Sequence, residues 1–510
     1  MVAQSSLRTD VHNVAASRTY EEARRLSGRI VLEGRLTTAL AEATFPVENP
    51  ADESEIGFAP RCTQADVERA VTVAHRAFRS WSRLSARQRG DLLRKVADTL
   101  EARRDELARL LCLETGNALS TQARPEIDSM LEILRLFAGV ATELKGRTIP
   151  WDAGQLCYTT RDPLGVVGAI IPWNAPLFLT ACKIGPSLAA GNTIVLKAAE
   201  QAPLAVVRCL EIMQEVLPPG VANVITGFGE EAGRPLVEHP LVRKVTFTGS
   251  CAVGKLIMRY AADKLCPVTL ELGGKSPNIV LPDADLDLVI PGLVTGMRFT
   301  RQGQSCSAGT RILVHEKVYD MVAERAVKAV SRLRIGDPMD EATEMGAIIS
   351  REQYERILSY LDMARKTPGA RILCGGGRPT APVLSKGYFL APTLIEGIPQ
   401  SSPVCQDEIF GPIAILQKWH DFEEMLVQAN STEFGLAAAI WTRDLSRALA
   451  FVDRIEAGFV QVNQYITPRA TLSYGGLKMS GLGKENTLES MLEHFTSSKT
   501  VVINPGTPGV

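Results

Sequence analysis

Apolar positions recur at helical spacing early in the chain and later give way to short runs that are apolar on both faces. Over Gln64–Trp81, Val67, Ala70, Val71, Ala74, Ala77 and Phe78 follow the i, i+3, i+4 spacing of a helix with one buried face. The same period predicts two helices between Ser85 and Asn117. Leu92, Leu93, Val96 and Leu100 lie along one face there, and Gly116-Asn117 is a stop signal. A third helical region runs from Glu126 to Leu144. Ahead of these, Met1 to about Arg29 is polar, which fits either a disordered tail or a peripheral helix.

From Gly165 strand-like and helical runs alternate. Gly165–Ile171 precedes Leu177–Ala190, Thr193–Lys197 precedes Pro203–Val216, Asn223–Thr226 precedes Glu230–Glu238, and Lys244–Thr248 precedes Val253–Ala262. Strands apolar on both faces suit a parallel sheet covered by helices, the doubly wound α/β architecture. Ligands of such sheets sit beyond the carboxyl ends of the strands. Asn174, Lys197, Glu200, the Gly227–Gly229 turn and the Thr248-Gly249-Ser250 turn are the polar residues placed there. A second alternation runs from about Pro277 to Gly475 and includes Ile279–Leu281, Arg311–His315, Ile413–Gln417 and Ala437–Trp441, predicting a second α/β unit. There is no internal repeat.

Composition narrows the function classes. The 510 residues, 45% of them hydrophobic, can form two or three sizeable cores. The 56 basic and 57 acidic residues nearly cancel, so charge steers the chain to neither nucleic acid nor anionic lipid. Ten cysteines show no CxxC pair and the 6 histidines are scattered, so no metal site is expected. A chain this large needs no disulfides, Met1–Asp10 lacks a signal-peptide core, and no apolar stretch approaches membrane-spanning length. A cytoplasmic protein is expected.

Chemistry enters at Gly303-Gln304-Ser305-Cys306-Ser307, where one cysteine has small, polar neighbours. Cys112, Cys182 and Cys209 lie among Leu, Ala and Val, the setting of inert thiols. Glu271 ends an apolar run before Gly273-Gly274, at the junction of the two alternations, and Glu408 has a comparable setting. A thiol nucleophile and a carboxylate base are the minimum for making and hydrolysing a thioester.

With Pro172-Trp173-Asn174, Lys197-Ala198-Ala199-Glu200, Phe247-Thr248-Gly249-Ser250, Glu271–Lys275, Gly303–Cys306, Glu408–Pro412 and Gly475–Gly481 in this order, the chain resembles the NAD(P)-dependent aldehyde dehydrogenases from about Pro46 to Ile503. The resemblance implies a Rossmann-type cofactor domain (30–145 and 163–276), an α/β catalytic domain (277–485) and a small β oligomerisation extension (146–162 and 486–510), after a polar tail (1–29). It makes Cys306 the nucleophile, Asn174 an oxyanion donor together with the Cys306 backbone N–H, Glu271 the base that activates water, and Lys183 a fourth catalytic residue.

NAD is the implied cofactor. Ile170, Ile171, Pro172 and Trp173 would border it, with Lys197 and Glu200 on the adenine ribose and Glu200 disfavouring a 2′-phosphate. The pyrophosphate would meet Gly229, Gly233, Phe247, Thr248, Gly249 and Ser250, in place of a GxGxxG fingerprint. Leu272, Glu408 and Phe410 would border the nicotinamide end. Ala198 replaces the proline found in many members.

The implied substrate channel passes Ala175, Phe178, Leu179, Cys182, Thr300, Arg301, Ser305, Pro468 and Tyr474. Small residues at Ala175, Cys182 and Thr300 widen it, so a bulky aromatic or longer-chain aldehyde is expected first. A semialdehyde held by Arg301 and Arg469 comes second, because both arginines could instead face solvent or pair with acidic neighbours. A CoA-acylating enzyme would have no need of Glu271, and a non-catalytic relative no need of the full set. Arg147–Arg161 and Thr496–Val502 resemble the extended segments through which members join subunits, implying a homodimer or homotetramer.

Overall fold

The computed structural model describes residues 17–40 and 42–506. Five parallel strands form the body of the first sheet: Val166–Ile170, Thr193–Lys197, Ala222–Ile225, Val242–Thr248 and Val268–Glu271. The first three are buried along their whole length, so they read as unbroken apolar runs. In space the five stand in the order third, second, first, fourth, fifth. The order reverses where Ile170 lies beside Phe247, and a doubly wound sheet opens its ligand crevice at such a reversal.

Both edges of this sheet are closed by antiparallel strands. Ile30–Leu32 and Arg35–Thr37 cover one edge. Gly481–Leu482, arriving from the far end of the chain, covers the other and sets Gly481 opposite Glu271. A second sheet holds six parallel strands, Pro277–Val280, Arg311–His315, Thr393–Glu396, Ile413–Trp419, Ala437–Trp441 and Phe459–Val462, with Arg371–Cys374 antiparallel at one edge. A third, antiparallel sheet pairs Thr496–Ile503 with Leu156–Pro163, which pairs in turn with Thr148–Ile149.

The helices begin and end where local chemistry dictates. Gln64–Trp81 starts at a capping box of Thr63 and Asp66, Ala86–Glu101 at one of Ser85 and Gln88. Arg104–Thr115 ends at Gly116, whose φ is 70°. Two helices of the first sheet begin at prolines and borrow their caps from elsewhere. Glu114 accepts the Leu204 and Ala205 N–H groups at 2.8 Å each, at the start of Leu204–Met213. Glu126 accepts the Leu177 N–H at 3.0 Å, at the start of Pro176–Ala190.

Of the two readings open for Met1 to about Arg29, residues 17–26 take the helix, and it is less peripheral than expected: Ala23 and Leu26 are fully buried in the main hydrophobic core. Polar positions on the outer face of this helix hid its buried stripe. The rest of the expected tail, residues 1–16, lies outside the described residues, as do 507–510 of the expected C-terminal extension.

Candidate active site

Cys306 ends a loop of unusual backbone. A 3₁₀ turn, Phe299–Arg301, is flanked by Arg298 and Gln302, both left-handed with φ of 58° and 53°, and Gly303 follows at 66°. Three such residues in one short loop are sparsely populated conformations held by their surroundings. The Cys306 thiol lies 3.5 Å from the Tyr474 hydroxyl. Burial pushes the thiol up to about 11, the Tyr474 contact opposes this, and the carboxyl groups of Glu408 and Glu271 add to it. Cys112, Cys182 and Cys209 are buried thiols whose pKa burial also raises. All ten cysteines are free.

Three motif loops lock together around this thiol through glycines. A β-carbon on Gly274 would strike the Cys306 carbonyl oxygen, one on Gly303 the Gly411 carbonyl, and one on Gly273 the Glu408 carboxyl. The glycines of Glu271–Lys275, Gly303–Cys306 and Glu408–Pro412 are therefore the points of closest approach between loops from distant parts of the chain.

Asn174 is fastened to the nucleophile loop. Its Nδ2 donates to the Gln304 carbonyl at 3.1 Å, and its own carbonyl accepts from Arg301 Nη1 at 2.8 Å. Arg301 also donates to Gln122 Oε1 at 2.9 Å and pairs with the fully buried Glu126 at 3.2 Å. Its donors are thus committed to the scaffold rather than to a ligand. Arg469 is 58% exposed and 3.5 Å from Glu132. Of the two readings open for these arginines, the geometry matches pairing with acidic neighbours.

Glu271 closes its strand beside the same pocket. Its Oε2 is buried and has no hydrogen-bond partner. Burial and the nearby Glu485 hold its pKa well above the carboxylate range, while Lys183 and Lys484 oppose this. Lys183, fully buried, is ion-paired with Glu485. Glu485 and Tyr474 bridge each other through their backbones, so the ion pair and the thiol share one support.

The residues expected around the cofactor gather at the sheet reversal. Lys197 Nζ pairs with Glu200 at 2.9 Å beyond the end of one strand. Ile170, Ile171, Pro172 and Trp173 leave the neighbouring strand, and Phe247, Thr248 and Gly249 end the strand after the reversal. Ser250 caps the helix Cys251–Ala262, accepting the Val253 N–H. Gly229 and Gly233 bound a π-helical turn whose Gly229 faces open space. Leu272 is buried against Gly254. Glu408 accepts the Gly274 N–H at 3.0 Å, and burial pushes its carboxyl up to about 7. Phe410, left-handed at φ 59°, meets the Trp173 ring edge-on at 5.3 Å.

The expected channel residues divide. Ala175, Phe178 and Leu179 occupy the start of the helix after Asn174, and Thr300 and Ser305 flank the nucleophile loop. Tyr474 packs edge-on to Phe459, and Pro468 is half-buried. Cys182, one turn further on, is 2% exposed, and its thiol faces Asn486 Oδ1 at 3.2 Å.

Sequence patterns passed over several contributors. Gln353 and Arg356 hold the backbone carbonyls of residues 408–410. They recognise main chain, so no local motif betrays them. Arg298 interrupts an apolar stretch before the nucleophile, a charge out of place that could have been noticed. Glu485 had no signal beyond its nearness to the late glycine motif.

The model of the aldehyde dehydrogenase family matches residues 37–501. DhaS of Bacillus subtilis (strain 168) is 40% identical over 479 residues, covering 93% of this chain and 95% of that protein. The NAD+ complex of an aldehyde dehydrogenase from Bacillus cereus is 38% identical with a TM-score of 0.91, covering 94% of this chain and 97% of its own. A betaine aldehyde dehydrogenase from Staphylococcus aureus, solved with NAD+, is 35% identical with a TM-score of 0.92, covering 96% and 97%.

Proposed function

The chain belongs to the aldehyde dehydrogenase family, and on that premise we propose that it oxidises an aldehyde to a carboxylic acid with NAD, through a thioester on Cys306. The observation that carries this reading is a thiol in contact with the Tyr474 hydroxyl and within electrostatic reach of Glu271, on a loop whose Gln304 carbonyl is held by the Asn174 amide.

The residues at the sheet reversal fit a dinucleotide. Glu200 beside Lys197 offers a carboxylate to the adenine ribose, Ser250 and the helix behind it a positive end to the pyrophosphate, and Glu408 a carboxyl to the nicotinamide ribose. The buried Thr248 hydroxyl, unpartnered at the strand end, points to a missing neighbour there. NAD, when bound, supplies the hydride acceptor.

As the thiolate, Cys306 Sγ bonds to the aldehyde carbon, and the carbonyl π pair passes to the oxygen, which becomes an oxyanion. Asn174 spends one Nδ2 hydrogen on Gln304 and has a second for that oxygen. The Cys306 backbone N–H, which has no partner among the described residues, is the other donor. Such a donor is worth roughly 10²–10³ in rate. Once the carbon is oxidised, the Glu271 carboxylate takes a proton from the water that attacks the thioester, its proton affinity raised by burial and Glu485 and lowered by Lys183. Apolar Phe178 and Leu179 suit a bulky aldehyde, longer-chain or aromatic.

Cys306→Ala should abolish aldehyde oxidation and leave NAD binding intact. Glu271→Gln should give a burst of NADH and then a much slower steady rate. Turnover by the alanine variant would end the assignment, and equal loss of burst and steady rate would place Glu271 earlier in the reaction. The exposed outer strand Thr496–Ile503 supports a homodimer or homotetramer, and ten free thiols support a reducing, cytoplasmic setting. No described helix is long and apolar enough to cross a membrane.

A further inference from the structure

The Glu271 carboxyl has little of its own to hold it in place. Its Oε2 is buried without a hydrogen-bond partner, and Gly475 packs so close that a β-carbon there would lie 2.7 Å from Oε1. Where the carboxyl points is therefore inherited from the backbone that carries it. The three N–H groups after Glu271 are each held by a different segment. Leu272 donates to the Ser480 carbonyl at 2.9 Å, and Gly274 donates to the Glu408 carboxyl at 3.0 Å. Between them, the Gly273 N–H donates to the thiol of Cys251.

Cys251 is half-buried and is the first residue of the helix Cys251–Ala262, directly after the cap Ser250. Its Sγ donates in turn to the Met479 carbonyl at 3.0 Å. Met479 precedes Ser480, whose carbonyl holds the Leu272 N–H, and the next residue, Gly481, lies opposite Glu271. One helical turn beyond Cys251, Gly254 sits so near Leu272 that a β-carbon would come within 2.8 Å of its side chain. The first turn of this helix thus fastens both residues that follow Glu271, Leu272 by packing and Gly273 by the thiol. A thiol suits the task because it donates and accepts at once. Burial raises its pKa while the Gly273 N–H opposes the rise, so at neutral pH the proton stays on sulfur for Met479.

Resting on the aldehyde-oxidising reading above, we propose that Cys251 is a positioning residue for thioester hydrolysis, aiming Glu271 through its bonds to Gly273 and Met479. It acts through the backbone and not on the substrate. In the step it serves, water bonds to the thioester carbon as it gives a proton to the Glu271 carboxylate, and the C–S bond then breaks with its electron pair returning to Cys306. Attack of Cys306 on the aldehyde comes earlier, does not use Glu271, and is left unchanged.

The test compares the NADH burst with the steady rate in wild type, Cys251→Val and Cys251→Ser, and melting temperature with NAD binding checks the fold of each. Valine fills similar space without donor or acceptor, whereas serine supplies both. Cys251→Val should keep the burst per active site and lose about tenfold in steady rate, on the scale of one lost hydrogen bond. Cys251→Ser should recover most of that loss. In the Glu271→Gln background, Cys251→Val should cost no more than about twofold, because a residue that acts through Glu271 then has nothing to aim. Hydrogen exchange of a peptide spanning residues 269–275 reads the contact without turnover, and should be faster in Cys251→Val than in wild type or Cys251→Ser. Burst and steady rate falling together, neither falling, equal losses with and without Glu271, or unchanged exchange in Cys251→Val would each overturn the proposal. A wild type that oxidises no aldehyde would instead overturn the aldehyde reading, and hydrogen exchange then judges the Cys251 contact alone.

Discussion

A thiol pushed up to about 11 by burial is almost wholly protonated at neutral pH, so each contact that draws the proton away matters. The Tyr474 hydroxyl, 3.5 Å from Sγ, is one such contact. Tyr474→Phe should raise the thiol pKa further and slow alkylation of Cys306 by iodoacetamide at pH 8, by up to about tenfold for one pKa unit. Mass spectrometry of the Cys306 peptide over time reads this directly. An unchanged or faster rate would remove Tyr474 from the activation of the nucleophile. The same residue scale shows what sequence patterns conveyed about the site. Cys306, Asn174, Glu271 and Glu408 each stand in a motif with glycines, and those glycines are where the loops touch. Arg298, Gln353 and Arg356 act through burial or main-chain contacts, which leave no motif behind.

Among elements, legibility followed burial. Thr193–Lys197, Arg311–His315 and Ala437–Trp441 are buried along their entire length, and the apolar runs predicted their limits to the residue. The hairpin of Thr44–Asn49 and Ser54–Pro60 is only partly buried and contains Pro46 and Gly57, so no run marked it. Helix caps supplied from a distance were equally hidden, and Glu114 is the clearest case. Glu114→Ala would strand two buried N–H groups at the start of Leu204–Met213 and should destabilise the protein by about 2–4 kcal/mol, seen as a lower melting temperature. The pH dependence has a definite sign. Burial raises the Glu114 carboxyl from an ordinary 4.5 to about 8, so its contribution is complete below 4.5 and fades as pH climbs through 8. The melting temperature should therefore fall more steeply between pH 5 and pH 8 in wild type than in Glu114→Ala, and parallel curves would count against this carboxyl.

Over the whole molecule, the third sheet is the small one, three strands against eight and seven in the other two. Its outer strand, Thr496–Ile503, pairs along its length with Leu156–Pro163, and Val502 and Ile503 remain 56% and 41% exposed. Deleting residues 496–510 should leave one edge of Leu156–Pro163 unpaired and convert the proposed oligomer to smaller or aggregated species, measured by size-exclusion chromatography with light scattering. A full-length chain that elutes as a monomer would contradict the oligomer.

The strand Gly481–Leu482 lies beside the one that ends in Glu271. Until that late segment leaves the ribosome, the edge that carries Glu271 stays open, although every strand of the sheet's parallel body has already been made. Pairings so remote in sequence form slowly, and exposed edges invite association with other chains. A chain cut short before residue 481 would carry Cys306 and Glu271 yet expose a sticky edge beside Glu271.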